Sequence, residues 1–425
     1  MPEERGKVLA ILRNKNYLLL WSGQLISSIG TSFNAISLYF LLLKSSELGG
    51  ILPLFGLFFL NALVYLVFAP FTGALVDTWN RRRTMIAADL VRAGLVMLIP
   101  FTTSLWQIYA LNFFISLFTL FFDPARNSLL PRVLEERKDL LFIGNSFMTS
   151  STSIAETIGF LTGGMFIVAF GYAAAFYLDS LTFVLSAICV LLLKVKEPEA
   201  EPGVEVAQVV ESFWRKIREG VKLVLAEGKL RSLFSYYFLF ALGFGAGNFL
   251  FPILIEEGYQ LGADAFGFFS GTMTFGYLVG SFIIGPLGDR LNRYKLFLAA
   301  VLLIGLSTVL LGSVASLGWA IPWAFLIGFL NPVTLVFSRV FIQEEVAEGK
   351  LGRVFSLFSL VMQVGLMASL GISLGLLQVL PIRSVMVALG LSTTLVALVG
   401  PSLTRFGKYA GRLDEAEGTE VSASG

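Results

Sequence analysis

Gly73-Ala-Leu-Val-Asp77-Thr-Trp-Asn80-Arg-Arg-Arg83 lies between two long apolar runs, and Gly285-Pro-Leu-Gly-Asp289-Arg-Leu-Asn292-Arg-Tyr-Lys295 repeats its spacing 212 residues later. In each copy a Gly is followed four residues on by a carboxylate and four residues beyond that by a basic cluster. Asp123-Pro124 with Gly144, and Asn331-Pro332 with Gly352, form a second pair at an offset of 208. Two motif pairs at nearly one offset predict two parallel repeats, a construction used by membrane transporters.

Outward from these loops the chain is apolar. A crossing needs about 20 apolar residues for a core of about 30 Å. Such runs fall at 17–43, 51–75, 84–103, 106–127, 141–170, 172–194, 231–255, 264–288, 294–315, 318–341, 352–379 and 382–404. Of the 31 Lys and Arg residues, 28 lie in segments that this alternation assigns to one face, Lys44 and Arg383 fall on the other, and Arg92 sits inside a span. Lys and Arg are retained on the cytoplasmic side during insertion, so both termini are expected inside a multi-pass protein of the cell (inner) membrane. The expected fold is all-α and integral to the membrane, with twelve transmembrane helices in two six-helix bundles. Its parts are an N-terminal bundle (1–194), a cytoplasmic linker with an amphipathic helix (195–230), a C-terminal bundle (231–404) and a cytoplasmic tail that reads as disordered (405–425). In the linker, Val210, Phe213, Trp214, Ile217, Val221 and Val224 keep one helical face and Arg215, Lys216, Arg218 and Lys222 the others. This is the pattern of a helix lying on the inner leaflet.

Composition narrows the chemistry. The 425 residues are 56% hydrophobic and 14% charged, against about 25% charged for soluble domains, and the mean hydropathy is +0.79. Cys189 is the single cysteine and there is no histidine, so a disulfide framework is excluded and proton traffic falls to Asp or Glu. No phosphate loop, metal-ligand spacing or basic–aromatic patch occurs. An enzyme, a metal or other cofactor, and a nucleic-acid partner are therefore not expected.

The two loops resemble the signature loop of the major facilitator superfamily, Gly-x-Leu-x-Asp-Arg-x-Gly-Arg-Arg/Lys. Asn80 and Asn292 stand at the usual Gly and Thr78 at the usual Arg. Asn tolerates a left-handed turn, so the same backbone is expected at both. The stretches GQLISSIGTSF, RRRTMIAADLVRA, FFDPARNSLLPRVL and FWRKIREGVKLVL look like the drug–proton antiporter branch, which includes macrolide-efflux and enterobactin-exporter-like proteins. Thr31 stands where many members carry Asp, and Phe160 where a Pro often sits. The resemblance implies the major facilitator fold, monomeric alternating access, and a cytoplasmic gate latched by Gly73, Asp77, Arg81, Arg82, Arg83, Gly285, Asp289, Arg293 and Lys295.

Ionisable residues within spans are costly and mark candidate sites. Glu156 lies about 22 Å into its run with no Lys or Arg in the same run, which makes it a candidate to take up and release a proton. Asp89 with Arg92, and Asp123 with Arg126, are three apart on their helices and able to pair; they are candidates for the same coupling. Asp179, near an outer end, reads as hydrated and structural. Gln24, Phe33, Asn34, Asn112, Phe244, Asn248 and Gln363 are candidate cavity residues. Gly159/Gly163, Gly267/Gly271, Gly276/Gly280 and Gly371/Gly375 are expected to permit close helix packing. The combined expectation is a secondary transporter exporting amphipathic small molecules, coupled to protons and surrounded by membrane lipids. The alternative is a lysophospholipid or siderophore transporter of the same fold.

Overall fold

The computed structural model describes residues 10–44, 50–135, 137–195, 206–288 and 292–406. Helix follows helix: α1 (Lys15–Lys44), α2 (Ile51–Thr78), α3 (Arg81–Leu98), α4 (Leu105–Val133), α5 (Lys138–Leu191), α6 (Val206–Ala226), α7 (Gly228–Phe244), α8 (Gly247–Ile253), α9 (Ala263–Gly288), α10 (Arg293–Ser313), α11 (Leu317–Glu345), α12 (Glu348–Leu377) and α13 (Ile382–Leu403). Among the described residues there is no strand.

Helix α5 explains the span count. Its 54 residues would reach about 81 Å at 1.5 Å per residue, far beyond a bilayer core. Gly171 interrupts it at φ 82° and ψ 168°. Its neighbours on α1 show a reversal there. Gly144, Gly159 and Gly163 abut Tyr17, Ser32 and Phe33 in rising order, while Asp179 with Thr182, and Ser186 with Cys189, abut Gly30 and Gly23 in falling order. The first arm thus runs parallel to α1 and the second antiparallel to it. Among the described residues eleven apolar helical stretches are long enough to cross a membrane, and this hairpin makes twelve crossings.

Along α13 small and polar groups turn inward and several leucines outward, as a bilayer favours. On α13, Gly390, Thr393, Ala397 and Gly400 are buried, whereas Leu391, Leu395 and Leu398 are exposed. Glycine packing holds for most expected pairs. A Cβ on Gly159 would sit 2.7 Å from Ser32 Cβ. Cβ atoms on Gly276 and Gly280 would run into the Phe325 and Phe329 carbonyls of α11. Gly371 and Gly375 depart from expectation: nothing lies within 4 Å of a Cβ at either position.

The chain forms two compact units, one of Met1–Phe213 with Gly262–Gly271 and one of Trp214–Leu261 with Thr272–Gly425. Within the first, the start of α9 meets α5, where a Cβ on Gly267 would lie 3.0 Å from Gly164 N. Within the second, the run expected as one helix over 231–255 is broken after α7. The Ala246 N–H there donates to Ser369 Oγ of α12 at 3.0 Å, and a π-turn, Leu254–Gly258, closes the run. Helix α6 rests on α12: Ile217 and Val224 are buried and Glu219 pairs with Arg353 at 2.9 Å. Lipid is therefore not its sole support, although Trp214, Val221 and Leu225 stay exposed. The described helix end also runs past the expected tail boundary. Phe406 is fully buried, packed on Tyr236, Tyr294, Phe337 and Phe341.

Candidate functional site

The repeated loops are built alike, though not as left-handed turns. Asn80 (φ −71°, ψ 109°) and Asn292 (φ −58°, ψ 108°) are helix N-caps. Their side-chain oxygens accept from Arg83 N at 2.8 Å and Lys295 N at 2.7 Å. Capping explains the choice of Asn better than tolerance of positive φ, because it satisfies an otherwise orphaned N–H.

Arg82 donates from Nε to the Val190 carbonyl at 3.1 Å and from Nη2 to the Leu191 carbonyl. A cation thus closes the negative end of the second arm of α5. Arg293 instead reaches Glu344 of α11 at 3.0 Å in an exposed pair, the kind that contributes little. Arg81 is half-buried, and Arg83 and Lys295 are exposed. Gly73 and Gly285 are helical. The Asp77 side chain and Asp289 lie outside the described residues.

A second cluster lies inside the first unit. Arg92, 5% exposed, pairs with Asp89 through Nη2. Its guanidinium is held between two rings, 4.5 Å from Phe122 of α4 and 4.4 Å from Phe183 of α5. Asp179 is fully buried, which overturns the reading of a hydrated outer residue. Asn34 Nδ2 of α1 donates to its Oδ2 at 2.6 Å, and a Cβ on Gly30 would come within 2.6 Å of its Oδ1. The Asp123–Arg126 pair is different in kind, 3.6 Å apart with side chains 48% and 22% exposed. Arg126 also donates to Gln24 at 3.0 Å, and Gln24 to Ser28 at 3.3 Å.

Several candidate cavity residues are already committed. Asn112 donates to Asn61 Oδ1 at 2.6 Å, and Ser116 to the same oxygen at 2.8 Å, which ties α4 to α2. Phe33 is buried against Phe166, with ring centroids 5.2 Å apart. Asn34 serves Asp179. Phe244 is half-buried and stacks on Phe240 at 5.9 Å; Asn248, beside the α7–α8 break, is exposed, and Gln363 is half-buried. Glu156 is half-buried on the first arm of α5. Among the described residues no ion pair or hydrogen bond reaches its carboxylate; the one contact made there is to its backbone carbonyl, from Ser32 at 3.5 Å.

Sequence reasoning missed the joining of Asp179 to Asn34 and its nearness to Arg92. The available signal was a polar residue on each of three spans, but no local pattern sets their relative heights.

The model of the Major Facilitator Superfamily matches residues 20–261 and 233–418. Macrolide efflux protein A of Streptococcus pyogenes is 26% identical over 364 residues, covering 83% of this chain and 88% of that protein. The putative bacilysin exporter BacE of Bacillus subtilis (strain 168) is 24% identical over 313 residues, covering 72% and 75%. Among solved structures, the nucleoside transporter NupG superposes with a TM-score of 0.71 at 9% identity, covering 91% of this chain and 98% of that one. A bacterial homologue of the human lysosomal transporter Spinster gives 0.68 at 13% identity, covering 94% and 98%.

Proposed function

We propose, from the premise that this chain belongs to the Major Facilitator Superfamily, that this multi-pass membrane transporter exports amphipathic or hydrophobic small molecules by proton antiport. It does so by alternating access, as a monomer of the inner membrane with both termini in the cytoplasm. Relatives named for macrolide efflux and bacilysin export favour the outward direction. The observation that carries proton coupling is Glu156. An ionised carboxylate within a span without a cation or donor is costly, whereas a neutral one is tolerated, so the group suits loading and release of a proton as its surroundings change. The gate residues of both loops serve as the cytoplasmic latch, with Arg82 fastening α3 to the end of the second arm of α5.

Reconstitution in liposomes with an imposed pH gradient, screened against macrolides, dyes, siderophores and lysophospholipids, tests this. The expected result is gradient-driven movement of an amphipathic compound that Glu156→Gln uncouples while leaving downhill exchange intact. Gradient-driven transport that Glu156→Gln leaves unchanged would remove Glu156 from the mechanism. Movement of a lysophospholipid with no need for a gradient would favour the lipid alternative.

A further inference from the structure

We infer that Asp89, Asp179 and Arg92 form a built-in proton site in the first unit, in which the two carboxylates together hold one proton. Charge counting inside a bilayer carries the argument. Asp89 and Asp179 are both fully buried and Arg92 is 5% exposed. Among the described residues Arg92 is the single cation at the cluster: it pairs directly with Asp89 and lies 4.4 Å from the ring of Phe183, one turn beyond Asp179 on α5, where Ser180 Oγ also donates to the Ala93 carbonyl of α3 at 2.8 Å. Two ionised carboxylates around one guanidinium would leave a net negative charge in a low-dielectric interior, the least tolerated outcome there. One proton restores neutrality.

A second observation marks a place for that proton. Asp89 is ion-paired with Arg92 through Oδ1, and its Oδ2 is buried without a hydrogen-bond partner and stands open to a proton. Asp179, in contrast, already receives Asn34 on Oδ2 and has Thr182 Oγ1 3.3 Å from Oδ1. In this structure the proton therefore rests on Asp179 Oδ1, which no described cation contacts directly and which faces Thr182 Oγ1, while Asp89 is ionised against Arg92; Asp89 Oδ2 takes it when that pair opens. The two titrate as a pair and not as separate residues.

The surroundings are named from each packed element. Asn34 faces the site from α1, Phe122 from α4, and Phe183, Thr182 and Ser186 from α5. The Tyr65 phenol of α2 feels both Arg92 and Asp123, and Asp123 is engaged with Arg126. The guanidinium touches the Asp89 carboxylate of α3 and the Phe183 ring of α5, so where the proton sits changes how firmly it ties α3 to α5. The use of this site in transport rests on the exporter reading; its existence does not.

The test is infrared difference spectroscopy of the full-length protein in lipid nanodiscs, titrated with pH and without substrate or gradient. Glu156→Gln is carried in every sample so that its carboxyl is silent. The expected result is a protonated-carboxyl stretch at neutral pH that disappears on alkalinisation. Asp179→Asn and Asp89→Asn should each abolish it, because one carboxylate then balances Arg92. Arg92→Gln should instead enlarge it about twofold, because two carboxylates without a cation take two protons. A purely structural network predicts none of these changes. A wild-type arrangement with no such band, or a band that survives either Asn substitution, overturns the shared proton. If neither Asn variant is monodisperse, Arg92→Gln decides: a band that does not grow overturns the shared proton.

Discussion

Gly171→Ala isolates a backbone effect, because a Cβ at this position meets no atom within 4 Å. Any penalty must come from conformation. At φ 82° and ψ 168° the residue lies in a region that is essentially reserved for glycine, and forcing an L side chain there costs about 1–3 kcal/mol. For units of this size about 1 kcal/mol moves Tm by roughly 2–4 °C, so the substitution should lower Tm by between about 2 and 12 °C. Gly371→Ala supplies the opposite sign. It too has open space, but it is in mid-helix, where Ala is favoured over Gly by about 0.5–1 kcal/mol. The assay is built into the chain. Cys189, the lone cysteine, is half-buried on the second arm of α5, next to Gly23 of α1. A thiol-reactive fluorophore therefore reports separation of α1 from the hairpin on heating. Equal melting of the Gly171→Ala and parent proteins would refute the single-residue reversal, and with it the separation of spans five and six at that point.

Other outcomes follow from the same geometry. Arg82→Ala should destabilise the first unit by about 1–2 kcal/mol, discounted for its partial exposure, while Arg83→Ala stays within about 0.5 kcal/mol; parallel melts compare them. Asn80→Ala should cost about 0.5–2 kcal/mol and Asn80→Gly only a few tenths. A Gly variant more stable than the parent would restore the left-handed turn. Asn112→Ala leaves Asn61 with one donor, from Ser116, and should cost about 1–3 kcal/mol without altering the ranking of transported compounds. A changed substrate profile at unchanged stability would return Asn112 to the cavity.

The twelve crossings were legible in the sequence because each apolar run is long and each is bounded by charge or turn residues. The 170/172 boundary was readable for that reason, and the structure puts the reversal at Gly171. The helix-capping role of Asn80 was not legible, because Asn serves left-handed turns and N-caps equally well and only the observed φ separates them. Gly371 and Gly375 carried the same four-residue spacing as Gly276 and Gly280, yet spacing does not say whether a neighbour stands opposite. The Asp179–Asn34 bond spans 145 residues. Its formation depends on the second arm of α5 descending along α1 in a particular register, which no local pattern encodes.

The burial of Phe406 has a practical reading for protein engineering. Its ring is fully enclosed by aromatic neighbours of the second unit, so it acts as a plug at the foot of α13. Reporter fusions or affinity tags joined beyond it leave that plug in place. A truncation that removes Phe406 would take out that plug and expose Tyr236 and Phe297, turning a trimmed tail into a damaged bundle.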